Sequence, residues 1–241
     1  MRPDEHLGWL AAERAAFARV LRDGDLAAPV PGCPSWHLAE LTAHLGAVHR
    51  WARQVVETGA TASNDHPAPA GRTALADWFD EGGAALERTL RGIEPDTPCW
   101  TIAPPAVAAF WMRRQAHETS LHRWDAQSSQ GTPDPIDPAL AADGVAEVAE
   151  AMFPRQVRLG RQPPLTRSLR VEVPDAGAYT VAGDGTAAPG PDSQPADVTV
   201  TGPAEALLLL LWKRTTLDDP RISVTGSPAA AHAVLGARIT P

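Results

Sequence analysis

A helical N-terminal domain followed by a smaller α+β domain is the fold that the sequence predicts. Three observations predict it. Apolar residues recur at helical spacing over about the first 150 residues. From Ser168 onward the pattern changes to strict alternation, as in Ser168-Leu169-Arg170-Val171-Glu172-Val173. Between the two lies a proline-containing stretch, Gly160 to Pro164. The expected domains are therefore residues 1–155 and 165–241.

The first helix is expected from Pro3 to Arg22, with Leu7, Leu10, Ala11, Phe17, Val20 and Leu21 on its apolar side, and it stops at Asp23-Gly24. Pro31-Gly32-Cys33-Pro34 makes a turn, after which Ser35 can cap a second helix reaching about Thr58. An Ala-, Pro- and Ser-rich loop covers Gly59 to Gly71. A third helix spans Thr73 to Arg91 and ends at a glycine. Pro104-Pro105 can open a fourth helix, since proline is tolerated in a first turn, and this helix continues to near Gly131. Asp137-Pro138 is a cap and first-turn pair for a fifth helix to about Met152.

In the second domain, Asp175-Ala176-Gly177 can turn the first strand into Ala178-Tyr179-Thr180-Val181. Asp197 to Thr201 reads as a strand, Pro203 to Lys213 as a buried helix, and Arg221 to Thr225 as a last strand before a short helix opened by Ser227-Pro228. No internal repeat stands out.

Composition narrows the function. The 241 residues are 44% hydrophobic, enough for real cores, and the formal net charge is −8 with scattered basic residues, nearly all Arg. Nucleic acid is not an expected partner. The longest strongly apolar run, Ala206 to Trp212, is too short to span a bilayer, and the start of the chain lacks an apolar signal-peptide core. No membrane association and a cytoplasmic location are the expectations. Cys33 and Cys99 lack CxxC spacing and are expected as unpaired, partly buried thiols.

The most informative residues are Glu118 and His122. At positions i and i+4 of a helix they project from one face and could close on one divalent metal. His44, on an otherwise apolar stretch of the second helix, is a candidate third ligand. Two imidazoles and one carboxylate leave a coordination position open, as catalytic sites do. Each residue has a duller explanation, a satisfied core histidine or a solvated Glu–His pair. The combination argues for a site, because Arg114, Glu118, His122 and Asp125 form a polar stripe beside the apolar Leu121 and Trp124.

His117-Glu118 only superficially resembles a zincin helix. His117 and His122 are five residues apart and point about 140° away from one another. Asp125 could orient His122 or His44 by accepting a ring N–H, or pair with Arg114, Arg123 or another arginine. His37, seven residues before His44, would share its face at roughly 10 Å and could line a pocket or the surface. His49 falls on another side and is expected in solvent or hydrogen-bonded to a loop. Of the eight tryptophans, Trp36, Trp51 and Trp124 lie closest to these ligands in sequence and could wall a pocket.

Gly32-Cys33-Pro34-Ser35-Trp36, Leu41-Thr42-Ala43-His44-Leu45-Gly46 and His49-Arg50-Trp51, with Glu118-Thr119-Ser120-Leu121-His122-Arg123-Trp124-Asp125, resemble the mycothiol-dependent maleylpyruvate isomerase family of actinobacteria. The Arg-, Ala- and Pro-rich composition suits such a source. The resemblance covers nearly the whole chain and implies a DinB-like four-helix bundle followed by a domain similar to sterol carrier proteins. It implies that His44, Glu118 and His122 are ligands of Zn2+ or another divalent metal. It further implies that Arg214, ending the Leu-rich run Leu207–Leu211 and Trp212-Lys213, faces the active site, although Lys213 stands where glycine is frequent.

The resemblance thus implies a zinc enzyme that takes a low-molecular-weight thiol, mycothiol, as cosubstrate and acts as an isomerase or S-transferase on a small carboxylate-bearing electrophile such as maleylpyruvate. Arg214, or alternatively Arg114, would hold the carboxylate. Trp36 and His37 would lie toward the thiol, and Asp125 would support the ligands. A monomer or weak homodimer is expected. Two rival readings stay open: a metal-dependent hydrolase, and a non-catalytic ligand-binding protein with a vestigial metal site.

Overall fold

The computed structural model of the chain describes residues 1–185 and 196–241. They form two compact units, Met1–Ile136 and Asp137–Pro241.

The first unit is a four-helix bundle of α1 (Pro3–Asp23), α2 (Leu38–Thr58), α3 (Arg72–Arg91) and α4 (Ala108–Ser128). α1 packs on α4 and α3, and α2 packs on α3 and α4. Phe17, Leu21, Leu38, Leu41, Leu45 and Phe79 fill one core cluster, in which the Phe17 and Phe79 rings stack with centroids 4.7 Å apart. These residues recur at helical spacing on α1 and α2, so burying one stripe of each helix encloses the core. α4 is different. It buries Arg114, Gln115, His117, Thr119, Ser120, His122, Arg123 and Asp125 along with Trp111 and Met112. A helix that is polar and buried must satisfy those groups internally.

Two helix starts differ from the sequence reading. α2 begins at Leu38 with His37 as its N-cap, three residues after Ser35. Residues Pro29 and His37 form an antiparallel bridge, and Val30 N–H donates to Trp36 O at 2.9 Å, so Ser35 is used within the loop. α4 begins at Ala108, beyond Pro104-Pro105, because Pro98 bridges Val107 in the same manner and holds Val107 extended.

The two loops are one device used twice. Leu38 and Ala39 N–H donate to Ala28 O and Leu26 O, and Ala108 and Ala109 N–H donate to Thr97 O and Pro95 O. Each helical hairpin, α1–α2 and α3–α4, therefore reaches its second helix through the same backbone pairing. This repetition lies in hydrogen bonds to the main chain and leaves little trace in the side chains.

The second unit opens with α5 (Pro138–Glu147), capped by Asp137, whose carboxylate accepts Ala139 N–H at 2.8 Å. α5 runs through a π-helical turn over Val148–Met152 into α6 (Phe153–Arg158). Grouped by sequence with the N-terminal helices, α5 instead packs against α7 (Ala204–Leu211) of its own unit.

Four strands, β1 (Leu165–Val173), β2 (Gly177–Gly183), β3 (Val198–Thr201) and β4 (Ser223–Gly226), make a sheet of order β2-β1-β3-β4. β1 pairs antiparallel with β2 and parallel with β3, while β3 and β4 are antiparallel. Leu169, Val171 and Val173 alternate inward on β1 and α8 (Pro228–Gly236) packs on it. Among the described residues no helix is long and apolar enough to cross a membrane.

Candidate metal centre

α2 and α4 lie side by side, and their facing polar residues converge. His44 Nε2 lies 3.3 Å from Glu118 Oε1, and His122 Nε2 lies 3.3 Å from the same oxygen. The His44 and His122 rings are edge to face with centroids 5.2 Å apart. One donor atom from each of the three residues fits within a 4.8 Å group. Ligands of a four-coordinate zinc at bond lengths near 2.1 Å are roughly 3.4 Å apart. The donor types and the two imidazole–carboxylate spacings therefore fit zinc or another divalent metal.

The supporting residues run along the same face of α4. Arg114 Nη2 donates to Glu118 Oε2 at 2.7 Å, and His122 Nδ1 meets Asp125 Oδ2 at 3.0 Å. Asp125 is wholly buried, whereas the His44 side chain is 36% exposed. The group is thus closed beneath and open on the His44 side. Trp36 stands over both histidines, its ring 4.8 Å from that of His44 and 6.4 Å from that of His122. The loop that displaced the α2 start is what delivers it there.

Burial alone would raise the pKa of Glu118. The Arg114 guanidinium and the hydrogen bonds to His122 and His44 outweigh it and hold the carboxyl well below its usual range. For His122, burial disfavours the imidazolium, but Asp125 and Glu118 overcome this and raise its pKa to about 9.

Other expected residues have different places. His37 is exposed at the α2 N-cap; its N–H donates to Glu40 Oε2 at 2.8 Å and its ring lies 3.3 Å from that carboxylate. The seven-residue helical spacing to His44 does not apply, because His37 precedes the helix. His49, expected toward solvent or a loop, is instead fully buried, with Nε2 2.9 Å from Thr119 Oγ1 and its ring beside Phe79. Burial pushes its pKa down to about 3. Trp51 packs against Trp111 and Trp100, and its Nε1–H donates to Ala62 O. Arg123 bonds Glu13 and the Asp134 carbonyl, tying α1 to the segment after α4. His117 turns its ring to His6 on α1.

One neighbour was not singled out by sequence. Cys33 Sγ lies 3.9 Å from Asp125 Oδ2, and Cys33, His122 and Asp125 form a second donor group that shares His122. Its turn sequence gave the only signal. Neither cysteine is in a disulfide. In the second unit, Arg214 follows α7 and donates from Nη1 to Trp212 O at 2.7 Å. Lys213 before it is in the left-handed region, φ 61°, which is why glycine suits that position.

Residues 7–127 match the family described as the mycothiol maleylpyruvate isomerase N-terminal domain, and residues 139–233 match the C-terminal domain of that family. No curated protein matches. Two solved structures share the fold over 93% of this chain and 93% of their own. One is the mycothiol-dependent maleylpyruvate isomerase, with TM-score 0.66 at 16% identity. The other is a histidine-to-alanine mutant of an enzyme of that description, with TM-score 0.68 at 14% identity.

Proposed function

This chain belongs to the mycothiol maleylpyruvate isomerase family, and from that membership we propose a zinc-dependent isomerase or S-transferase that uses mycothiol and a small carboxylate-bearing electrophile, maleylpyruvate being the model substrate. The observation that carries the reading is the convergence of His44, Glu118 and His122 on one point with His44 open to solvent. Zinc held there supplies positive charge that lowers the pKa of a nearby thiol, so that the sulfur is nucleophilic at neutral pH. A thiol contributes reversible addition to a conjugated cis double bond, which frees rotation before elimination.

The chain's own residues orient and enclose. Asp125 fixes the ring of His122, leaving Nε2 directed at the site. Trp36 walls the side of His44 and gives the thiol an apolar face to lie against, and we place His37, next in the chain, at its outer edge. Arg214 is the proposed holder of the substrate carboxylate, through paired hydrogen bonds. Arg114 is already engaged with Glu118. A reducing cytoplasm suits a thiol cosubstrate, and a monomer or weak dimer suffices, since all three ligands come from one chain.

Elemental analysis of the purified protein tests the reading. About one zinc per chain is expected, lost in His44→Ala and Glu118→Ala, with activity toward conjugated cis acids that depends on added thiol. Wild-type protein without metal would sink it, and turnover without thiol would favour a hydrolase.

A further inference from the structure

The two oxygens of Glu118 have separate partners. Oε1 lies 3.3 Å from both histidine nitrogens, while Oε2 accepts from Arg114 Nη2 at 2.7 Å. Arg114 is 4% exposed and sits one helical turn before Glu118, so this is not a solvated surface pair. Its guanidinium is planar, permanently charged and directional, able to hold one oxygen of a carboxylate in place.

We propose that Arg114 is a positioning residue that restricts Glu118 to binding metal through Oε1 alone. The inference rests on the metal-binding reading above and adds how its carboxylate is used. A carboxylate can ligate through one oxygen or two. With both oxygens engaged, Glu118 would take up an additional coordination position and crowd the one that an exchangeable thiol needs. A charged donor on Oε2 competes with a metal for that oxygen and so disfavours this. The site then keeps three protein donors, and the face beside His44 stays available.

Cobalt(II) reports the difference, because four-coordinate cobalt has intense visible bands and higher coordination weakens them. Full-length wild type, Arg114→Met and Arg114→Lys are loaded with Co2+, and their stoichiometry, absorption and circular dichroism are measured. Wild type should bind one ion with intense bands. Arg114→Met should still bind one, with bands severalfold weaker, and Arg114→Lys, which restores a charged donor, should recover most of the intensity.

Unchanged bands in Arg114→Met overturn the inference. A folded Arg114→Met that binds no cobalt also overturns it, because Arg114 would then be holding the site together and not selecting its ligation. If Arg114→Met does not fold, Arg114→Ala, which also removes the donor, takes its place under the same two readings. Wild type that binds no cobalt sinks the metal reading itself, an outcome distinct from failure of the arginine's role.

Discussion

His122 Nδ1 meets Asp125 Oδ2 at 3.0 Å, and that carboxylate has no exposed surface. The contact fixes the orientation of a ring whose other nitrogen is the candidate ligand. A buried carboxylate that lost this partner would lose part of what offsets the cost of its desolvation. The contact therefore ties the stability of α4 to the geometry of the site.

Asp125→Ala should lower zinc affinity by about 10–100-fold while leaving the three ligands in place. Competition against a chelator of known affinity measures it. Wild-type affinity in the variant would reduce the Asp125 contact to a packing detail.

The raised pKa of His122 sets a pH dependence. In the metal-free protein His122 keeps its proton up to about 9, whereas a metal needs the neutral ring. Binding must displace that proton, so affinity should rise roughly tenfold per pH unit until pH approaches 9 and then level off. For folding without metal the sign is opposite. The contribution is complete below the unfolded value of 6.5 and is lost as pH rises through 9. Calorimetry in buffers of different ionisation heat counts the released protons; none released at neutral pH would contradict the assignment.

Arg214→Ala should weaken turnover or acceptor binding with zinc content unchanged, which steady-state kinetics and metal analysis together resolve. Unaltered kinetics would overturn the role proposed for Arg214. Its neighbour allows a separate test of the backbone. At φ 61° Lys213 pays the left-handed penalty, so Lys213→Gly should exceed Lys213→Ala in stability by about 1 kcal/mol by denaturant titration. Equal stabilities would mean that the turn relaxes at no cost.

The helices and the convergence of His44, Glu118 and His122 were legible because both follow from spacing along a helix. Glu118 and His122 share a face at i and i+4 whatever surrounds α4, and a polar His44 on an apolar stripe needs a partner. What depended on contacts distant in sequence was not legible. The α2 start moved to Leu38 because Pro29 pairs with His37, and α5 joined the second unit because α7 covers it. The approach of Cys33 to Asp125 spans 92 positions and has no periodic signature. His49 was misplaced because its helical position gives a direction but not what lies there. Phe79 and Thr119, from two other helices, close over it.

That enclosure makes His49 an acid-sensitive point. Burial is the main cause of its depressed pKa, with Arg14, Arg50 and His122 adding to it and Glu118 opposing. Below 6.5 the unfolded chain takes up a proton that the folded chain refuses until about 3. The stability associated with His49 is therefore complete above 6.5 and falls as pH drops through that window, by at most about 1.4 kcal/mol per pH unit. His49→Gln does not titrate there and keeps a donor for Thr119. It should be less stable than wild type near neutrality, where the ring's packing is lost, yet decline less steeply toward acid. Urea titrations of both metal-free proteins across the window compare the slopes directly, since the carboxylates they share contribute equally. Parallel slopes would show that His49 takes up its proton in the folded state, and that the ring is less enclosed than its contacts with Phe79 and Thr119 require.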